Sequence, residues 1–364
     1  MNKKLKLILW VIFIGLILLA SCSLRPLKSI ETSETENTED IDSDLIIVGF
    51  SQLGSESDWR TANTKSIQNA LVKENGFSLI FANGRQSQEN QIKDVRSFIF
   101  QEVDYIVIAP VTETGWDTVL TEAKQAGIPV IIVDRMIDTE DESLYVASVG
   151  TDKYEEGVKA GRWLEKYLKE LEETNQINKD SGSETKSATS KEKGKKASDT
   201  VNIVILEGTL NSTAQLGRSN GFHEIAIKYE NWKILAHESG DFTKAKGKEV
   251  MEKYLNSFED IDVLVSQNDD MTFGAIEAIQ EAGLTCGVDG EIKIISFDAV
   301  SEAFDRMEAG LINVDIECNP LQGELIADII ERLEKGEKVD KVSYVAGKVF
   351  EAKNASVDRI GRSY

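Results

Sequence analysis

A train of short aliphatic runs, each ending in polar residues, constrains this chain more than any other feature. The runs fall at 45–50, 77–81, 105–109, 130–133, 201–206, 261–265 and 292–297. Between most of them the apolar residues take helical spacing. Val119, Leu120, Ala123 and Ala126 form one such stripe, closed by Gly127 with Pro129 beyond it. Ile276, Ile279 and Ala282 form another, followed by Gly283. Strands apolar on both faces, alternating with helices, predict parallel sheets in an α/β protein. A chain of 364 residues that is 41% apolar can support two such domains.

Three segments stand outside the pattern. Residues 1–21 begin with Lys3, Lys4 and Lys6, continue in an apolar run from Leu7 to Leu19, and lead into Leu19-Ala20-Ser21-Cys22. That is the layout of a secretory signal, and the Cys resembles the lipidated residue of a bacterial lipobox. Cys22 would then carry acyl chains, holding the mature protein on the outer side of a cell membrane. Residues 22–44 are acidic and aperiodic and read as an extended tether. Asp40, Asp42 and Asp44 have the start of a calcium loop, but Leu45 stands where its glycine is needed and Ser51 where its glutamate is needed. Further along, a helix over roughly 154–171 precedes residues 174–199, rich in Ser, Thr, Lys, Glu and Gly, which read as a disordered insertion.

Charge and composition exclude several functions. With 41 Lys+Arg against 63 Asp+Glu, the net charge of −22 argues against a nucleic-acid partner. Three cysteines and two histidines give no zinc ligand set and no disulfide framework. No cofactor or metal is expected. Cys286 and Cys318 read as buried free thiols, and His223 and His237 as residues on solvated helix faces.

In open parallel sheets ligands bind beyond the carboxyl ends of the strands. Those ends carry Ser51, Gln52, Glu56, Trp59 and Arg60; then Asp134 and Arg135; then Gln267, Asn268, Asp269 and Asp270; and finally Asp298. Arg218 opens the helical region after the 201–206 run. Planar carboxylate, amide and guanidinium groups suit neighbouring hydroxyls, and an indole face suits the C–H side of a sugar ring. The expected chemistry is polyol recognition. Plainer readings stand beside it: Arg135 can neutralise Asp134, Asp269 can cap the helix near Met271, and Trp59 and Trp116 can be core.

The same residues carry a family resemblance. Val48-Gly-Phe-Ser-Gln-Leu-Gly-Ser-Glu-Ser-Asp-Trp-Arg60, Gln88-Glu-Asn-Gln-Ile-Lys93, Ile108-Ala-Pro-Val111 with Thr114-Gly-Trp116, and Val133-Asp-Arg135 resemble the galactofuranose-binding proteins of bacterial sugar ABC transporters. So do Ser239-Gly-Asp-Phe-Thr243, Lys246-Gly-Lys-Glu-Val-Met251, Asn268-Asp-Asp-Met271 and Glu281-Ala-Gly283. The likeness runs from about Leu45 to Val339, within the wider group of pentose- and hexose-binding proteins of the type I periplasmic fold. It implies two Rossmann-like lobes joined by three crossings near Val149, Glu317 and Val339. The first lobe would comprise 45–149 plus 318–338, and the second 150–317 plus 339–364. Ligand contacts would fall on Glu56, Ser57, Asp58, Trp59, Arg60, Asp134, Arg135, Arg218, Asn268 and Asp298, with Glu317 at a hinge crossing. Asp58, the Asn211–Gly217 loop and the Asp298-Ala299 pair depart from the family pattern and bear on which sugar is bound.

The resemblance implies a monomeric, lipid-anchored receptor that closes on a monosaccharide, best matched by galactofuranose, and presents it to an ABC permease. A sensor subunit that passes the closed state to a membrane kinase or chemoreceptor uses the same features. An enzyme is disfavoured: Gly49-Phe-Ser51-Gln-Leu lacks the second glycine of a nucleophile elbow, and no glycine-rich phosphate loop follows a strand.

Overall fold

The computed structural model describes residues 45–181 and 199–364. The signal segment, Cys22, the tether with its calcium-like acids, and residues 182–198 lie outside the described residues. Two six-stranded sheets share one topology. The first runs β2 (Phe77–Asn83), β1 (Ile46–Gln52), β3 (Tyr105–Ile108), β4 (Val130–Asp134), β5 (Ala147–Gly150) and β11 (Val342–Tyr344). The second runs β7 (Trp232–Ser239), β6 (Val201–Glu207), β8 (Val263–Ser266), β9 (Lys293–Asp298), β10 (Val314–Glu317) and β12 (Val349–Glu351). All pairings are parallel except β10 with β12. This is the α/β fold of two Rossmann-like lobes expected from the sequence.

Helices cover both faces of each sheet, so the central strands are buried throughout. On the first sheet, α1 (Asp58–Ala70) and α9 (Gly323–Glu334) pack on one face through Ile67, Ile326 and Ile330. The other face takes α2 (Gln88–Phe100) and α3 (Asp117–Gln125) through Val95, Phe98, Trp116 and Leu120. Trp116 is therefore core, with its indole N–H satisfied by the Thr112 carbonyl. On the second sheet, α4 (Lys153–Ser181) and α5 (Thr213–Ala226) cover one face. The other is covered by α6 (Lys244–Ser257), α7 (Asp269–Glu281) and α8 (Ser301–Glu308). A short α10 (Ala355–Asp358) ends the elements. No helix among the described residues is long and apolar enough to cross a membrane.

Three details differ from the sequence reading. Val342–Tyr344 pairs with β5, so this stretch belongs to the first sheet and not the second. Its pairing covers an edge that β5 would otherwise expose. The third crossing accordingly lies at 345–348 rather than near Val339, while the first two lie at 151–152 and 318–322. Second, α4 continues to Ser181 instead of ending near Leu171. A solvated helix needs helix-forming residues rather than apolar ones; Glu172, Glu173 and Gln176 are such residues, and Thr174 Oγ1 bonds back to the Glu170 carbonyl at 2.8 Å. Third, His237 lies on strand β7, not on a helix, and its Nδ1 sits 3.4 Å from Glu207.

Close packing of α4 on α5 does most to fix the second lobe's part of the cleft. An added Cβ on Gly221 would lie 2.0 Å from the Tyr154 carbonyl oxygen, and one on Gly157 2.3 Å from the Arg218 carbonyl oxygen. The two backbones touch there, which brings Glu156 of α4 beside Arg218 of α5. Gly221→Ala must push the helices apart, at about 1–3 kcal/mol. Its thermal midpoint should fall by several degrees; an unchanged midpoint would remove the close contact from the account.

Candidate functional site

Where the carboxyl ends of the two sheets face each other, a cavity of about 20 Å³ lies between the lobes. Its walls come from both. The first lobe contributes Glu56, Ser57, Trp59, Arg60, Asp134 and Arg135; the second contributes Lys153, Ala214, Arg218, Phe242, Asn268 and Asp298; Cys318 comes from a crossing. The lobes also meet around it. Met136 N–H donates to Thr213 Oγ1 at 2.7 Å, Asp58 N–H to Asp270 Oδ2 at 3.3 Å, and the Trp59 indole N–H to the Cys318 carbonyl.

Two arginine–aspartate pairs face each other with the symmetry of the fold. Arg60 lies on the helix after β1 and Arg218 on the helix after β6. Asp134 ends β4 and Asp298 ends β9, the fourth strand in each sheet order. Arg60 Nη2 meets Asp134 Oδ2 at 2.6 Å, and Arg218 Nη2 meets Asp298 Oδ1 at 3.0 Å. Each arginine has a second carboxylate: Glu56 at 3.1 Å from Arg60 Nε, and Glu156 at 2.8 Å from Arg218 Nε. Lys153 joins the halves, reaching Asp134 Oδ1 at 3.0 Å and Cys318 Sγ at 2.8 Å. Three cations thus meet four carboxylates, all with side chains almost wholly removed from water.

Asp134, Arg60, Lys153 and Arg218 support one another's charges, whereas burial raises the Asp298 carboxyl well above the usual carboxylate range despite Arg218. Burial alone would raise the Asp134 carboxyl, but Lys153 and Arg60 outweigh it and keep it far below the usual carboxylate range. Burial likewise opposes the charges of Arg60, Lys153 and Arg218. Asp134 and Glu56 overcome it for Arg60, Asp134 for Lys153, and Glu156 with Asp298 for Arg218. Arg135 has less support. Burial, with repulsion from Arg60, brings its guanidinium down to about 10. The backbone is strained at both aspartates, since Asp134 has φ 64° and Asp298 φ 109°, which for a non-glycine residue costs of order 1–3 kcal/mol.

Three atoms at the cavity have no hydrogen-bond partner in the protein: Glu56 Oε2, Arg60 Nη1 and Arg135 Nε. A buried polar group left unpaired is costly, so these atoms are poised for a polar ligand. Apolar surface flanks them. The Arg60 guanidinium stands 4.7 Å from the Trp59 ring centre, and that of Arg135 5.4 Å from the Phe242 ring centre.

Nine of the expected ligand residues line this cavity: Glu56, Ser57, Trp59, Arg60, Asp134, Arg135, Arg218, Asn268 and Asp298. Two of them also serve locally. Ser57 caps α1 by accepting from Arg60 N–H, and Asn268 caps α7 by accepting from Met271 N–H. The capping role expected of Asp269 therefore falls to Asn268. Three expected residues are elsewhere. Gln52 is spent on Asn63 and Thr64, bracing α1 from behind. Asp58 has an exposed side chain at the rim of the lobe contact. Glu317 is turned away, accepting from Arg362 Nη1 at 2.7 Å, Tyr364 Oη at 2.7 Å and Lys348 N–H at 2.9 Å. Lys153, Phe242, Ala214 and Cys318 line the cavity without having been singled out. Lys153 follows β5 and Phe242 follows β7, two strands absent from the expected train, so their positions behind strand ends went unnoticed. Cys286 and Cys318 are both free and buried, as expected.

A two-lobed α/β protein that encloses a polar cavity with strand-end residues from both lobes belongs to the closing-cleft class of ligand-binding proteins. A family model described as a periplasmic binding protein domain matches residues 48–338, and this chain belongs to that family. The galactofuranose-binding protein of Escherichia coli K12 is 41% identical over 293 residues, 80% of this chain and 82% of that protein. The periplasmic binding component of an arabinose ABC transporter from Shewanella sp. ANA-3, bound to α- and β-L-arabinofuranose, has a TM-score of 0.73. It is 41% identical and covers 86% of this chain and 94% of its own. A Mycobacterium smegmatis protein in complex with β-D-fucofuranose has a TM-score of 0.74, 41% identity, and coverage of 86% and 93%.

Lys153 is the side chain whose loss should be felt most widely. Replacing it by methionine leaves Asp134 with one cation fewer in a dry site. Such a broken buried pair costs about 3–5 kcal/mol. Urea denaturation of Lys153→Met should show that loss; stability equal to the parent protein would mean that Lys153 is not a strut of the site.

Proposed function

We propose that this protein is an extracytoplasmic receptor that captures one monosaccharide in its furanose form between the two lobes and delivers it to an ABC importer. The observation that carries the proposal is the set of unpaired polar atoms at the cavity: spare donors on Arg60 and Arg135 and a spare acceptor on Glu56. Donors beside a free carboxylate oxygen can both give to and take from the hydroxyls of a neutral sugar, whereas that carboxylate repels an anion. Trp59 and Phe242 provide faces for the ring's C–H surface. The relatives at about 41% identity are described with galactofuranose, arabinofuranose and fucofuranose, all five-membered rings. Galactofuranose is the sugar we favour. Lobes that touch on both sides of the cavity describe a closed form that a bound sugar would stabilise by bridging them.

Delivery places the protein outside the cytoplasm, and Leu19-Ala20-Ser21-Cys22 supports an acylated Cys22 as its membrane anchor, with the acidic 22–44 segment as tether. An ABC permease is the proposed partner, met by a monomer.

Titration of tryptophan fluorescence with D-galactose, L-arabinose and D-ribose, whose solutions contain furanose forms, tests the reading. A saturable response to at least one sugar is expected, and none to sugar phosphates; silence with every sugar contradicts it. Arg135→Ala should weaken binding by about 2 kcal/mol, roughly thirtyfold, because it strips a charged donor from a desolvated site.

Closure makes a separate prediction about the thiols. Cys318 lines the cavity, and burial pushes its pKa up to about 12, whereas Cys286 lies in the second lobe's core. Saturating sugar should slow the reaction of Cys318 with a thiol reagent and leave Cys286 unchanged. Equal reactivity of Cys318 with and without sugar would contradict closure around the ligand.

A further inference from the structure

The Asp298 carboxylate owes its place to a turn that its own sequence disfavours. Asp298 has φ 109° and the following Ala299 has φ 60°, both in the left-handed region that glycine occupies without strain. Side chains from three other elements close on the backbone of this turn. Asp315 Oδ1, on β10, accepts from Ala299 N–H at 3.0 Å. Asp269 Oδ2, in the first turn of α7, accepts from Val300 N–H at 2.9 Å. Arg362 Nη2, from the C-terminal tail, donates to the Ala299 carbonyl at 2.8 Å. Asp269 and Asp315 are fully buried and do not line the cavity; Asp269 Oδ1 also accepts from Ser296 Oγ at 2.6 Å.

We infer that Asp315, Asp269 and Arg362 are positioning residues for the ligand site, holding the Asp298–Ala299 turn so that the Asp298 carboxylate meets Arg218 and the cavity. The inference rests on the sugar-binding reading above. Its chemistry is that of two carboxyl groups sharing a proton. Asp269 and Asp315 lie within hydrogen-bonding reach of each other, and Asp315 Oδ2 has no other partner. One proton between them removes the repulsion and leaves an acceptor on each acid for the turn. Burial raises Asp315 to about 7, and burial together with Asp315 raises Asp269 well above the usual carboxylate range. The charged groups that face the pair are Asp298 from β9, Asp270 from α7 and Arg362 from the tail. Asp315 gives up its proton first, near 7, and the proton that stays on Asp269 is the one the pair shares.

The test compares sugar affinity, by calorimetry with L-arabinose and D-galactose, in four proteins: wild type, Asp315→Asn, Asp315→Leu, and Asp315→Leu combined with Ala299→Gly. Asp315→Asn keeps the acceptor for Ala299 and offers its own N–H in place of the proton. It should bind within about threefold of wild type. Asp315→Leu should bind at least about tenfold more weakly. Adding Ala299→Gly should restore part of that loss, because glycine takes the turn without being held; a defect in general packing would not be rescued this way. Wild-type affinity in Asp315→Leu overturns the inference, as does an Asp315→Asn variant as weak as the leucine one. If the leucine variant does not fold, Arg362→Gln, which removes the donor to the Ala299 carbonyl, is measured in its place, and wild-type affinity there overturns the inference. Failure of wild type to bind any sugar overturns the functional reading itself and this inference with it.

Discussion

Everything at the centre of this molecule depends on a closed chain of buried ion pairs: Glu56–Arg60–Asp134–Lys153 from one side, Glu156–Arg218–Asp298 from the other. Isolated charges in such a dry site would be untenable, since the desolvation penalty for each is several kcal/mol. Together they satisfy one another, and the folded chain therefore has to bring both lobes to the same place. Lys153 makes the dependence explicit. It belongs to the helix that begins the second lobe, yet its ammonium rests on an aspartate of the first.

Internal symmetry explains why the network has this form. Each lobe repeats one strand order, and each offers an arginine from the helix after its first strand and an aspartate at the end of its fourth. The repeats are not identical in detail. The first lobe leaves Glu56 Oε2, Arg60 Nη1 and Arg135 Nε without partners, whereas in the second the Arg218 guanidinium is bonded to Glu156, Asp298 and the Gln267 carbonyl. The first lobe therefore holds the free polar valences for a ligand, and the second lobe supplies a rigid counter-wall. Ligand energy is then spent on uniting the lobes, which is how a closing cleft couples binding to recognition by a partner.

Much of this was legible in the sequence because parallel strands buried on both faces are written as plain aliphatic runs. Strands β1, β3, β4, β6, β8 and β9 stand out in that way, and the polar residues behind them mark the cavity. Strands that depart from the rule were hidden. β5 is four small or short residues, Ala147–Gly150; β7, Trp232–Ser239, is an amphipathic edge; β10 carries two acids in four residues. Of the cavity residues outside the expected set, Lys153, Phe242 and Cys318 follow these three hidden strands. Gln52 and Glu317 failed for another reason. Both lie at strand ends, but local partners (Asn63 and Thr64 for one, Arg362 and Tyr364 for the other) consume their polar groups, and such pairing is three-dimensional information. The hinge moved by a few residues because Val342–Tyr344 is chosen by an open sheet edge rather than by its own pattern.

The central claim is that a buried polar cavity between two symmetric lobes holds a neutral furanose. A crystal structure of the protein with L-arabinose or D-galactose tests it most directly. The account predicts a five-membered ring between Trp59 and Phe242, with its hydroxyls on Arg60 Nη1, Arg135 Nε and Glu56 Oε2. A sugar bound only outside this cavity, or an anion paired with Arg135 inside it, would contradict the account.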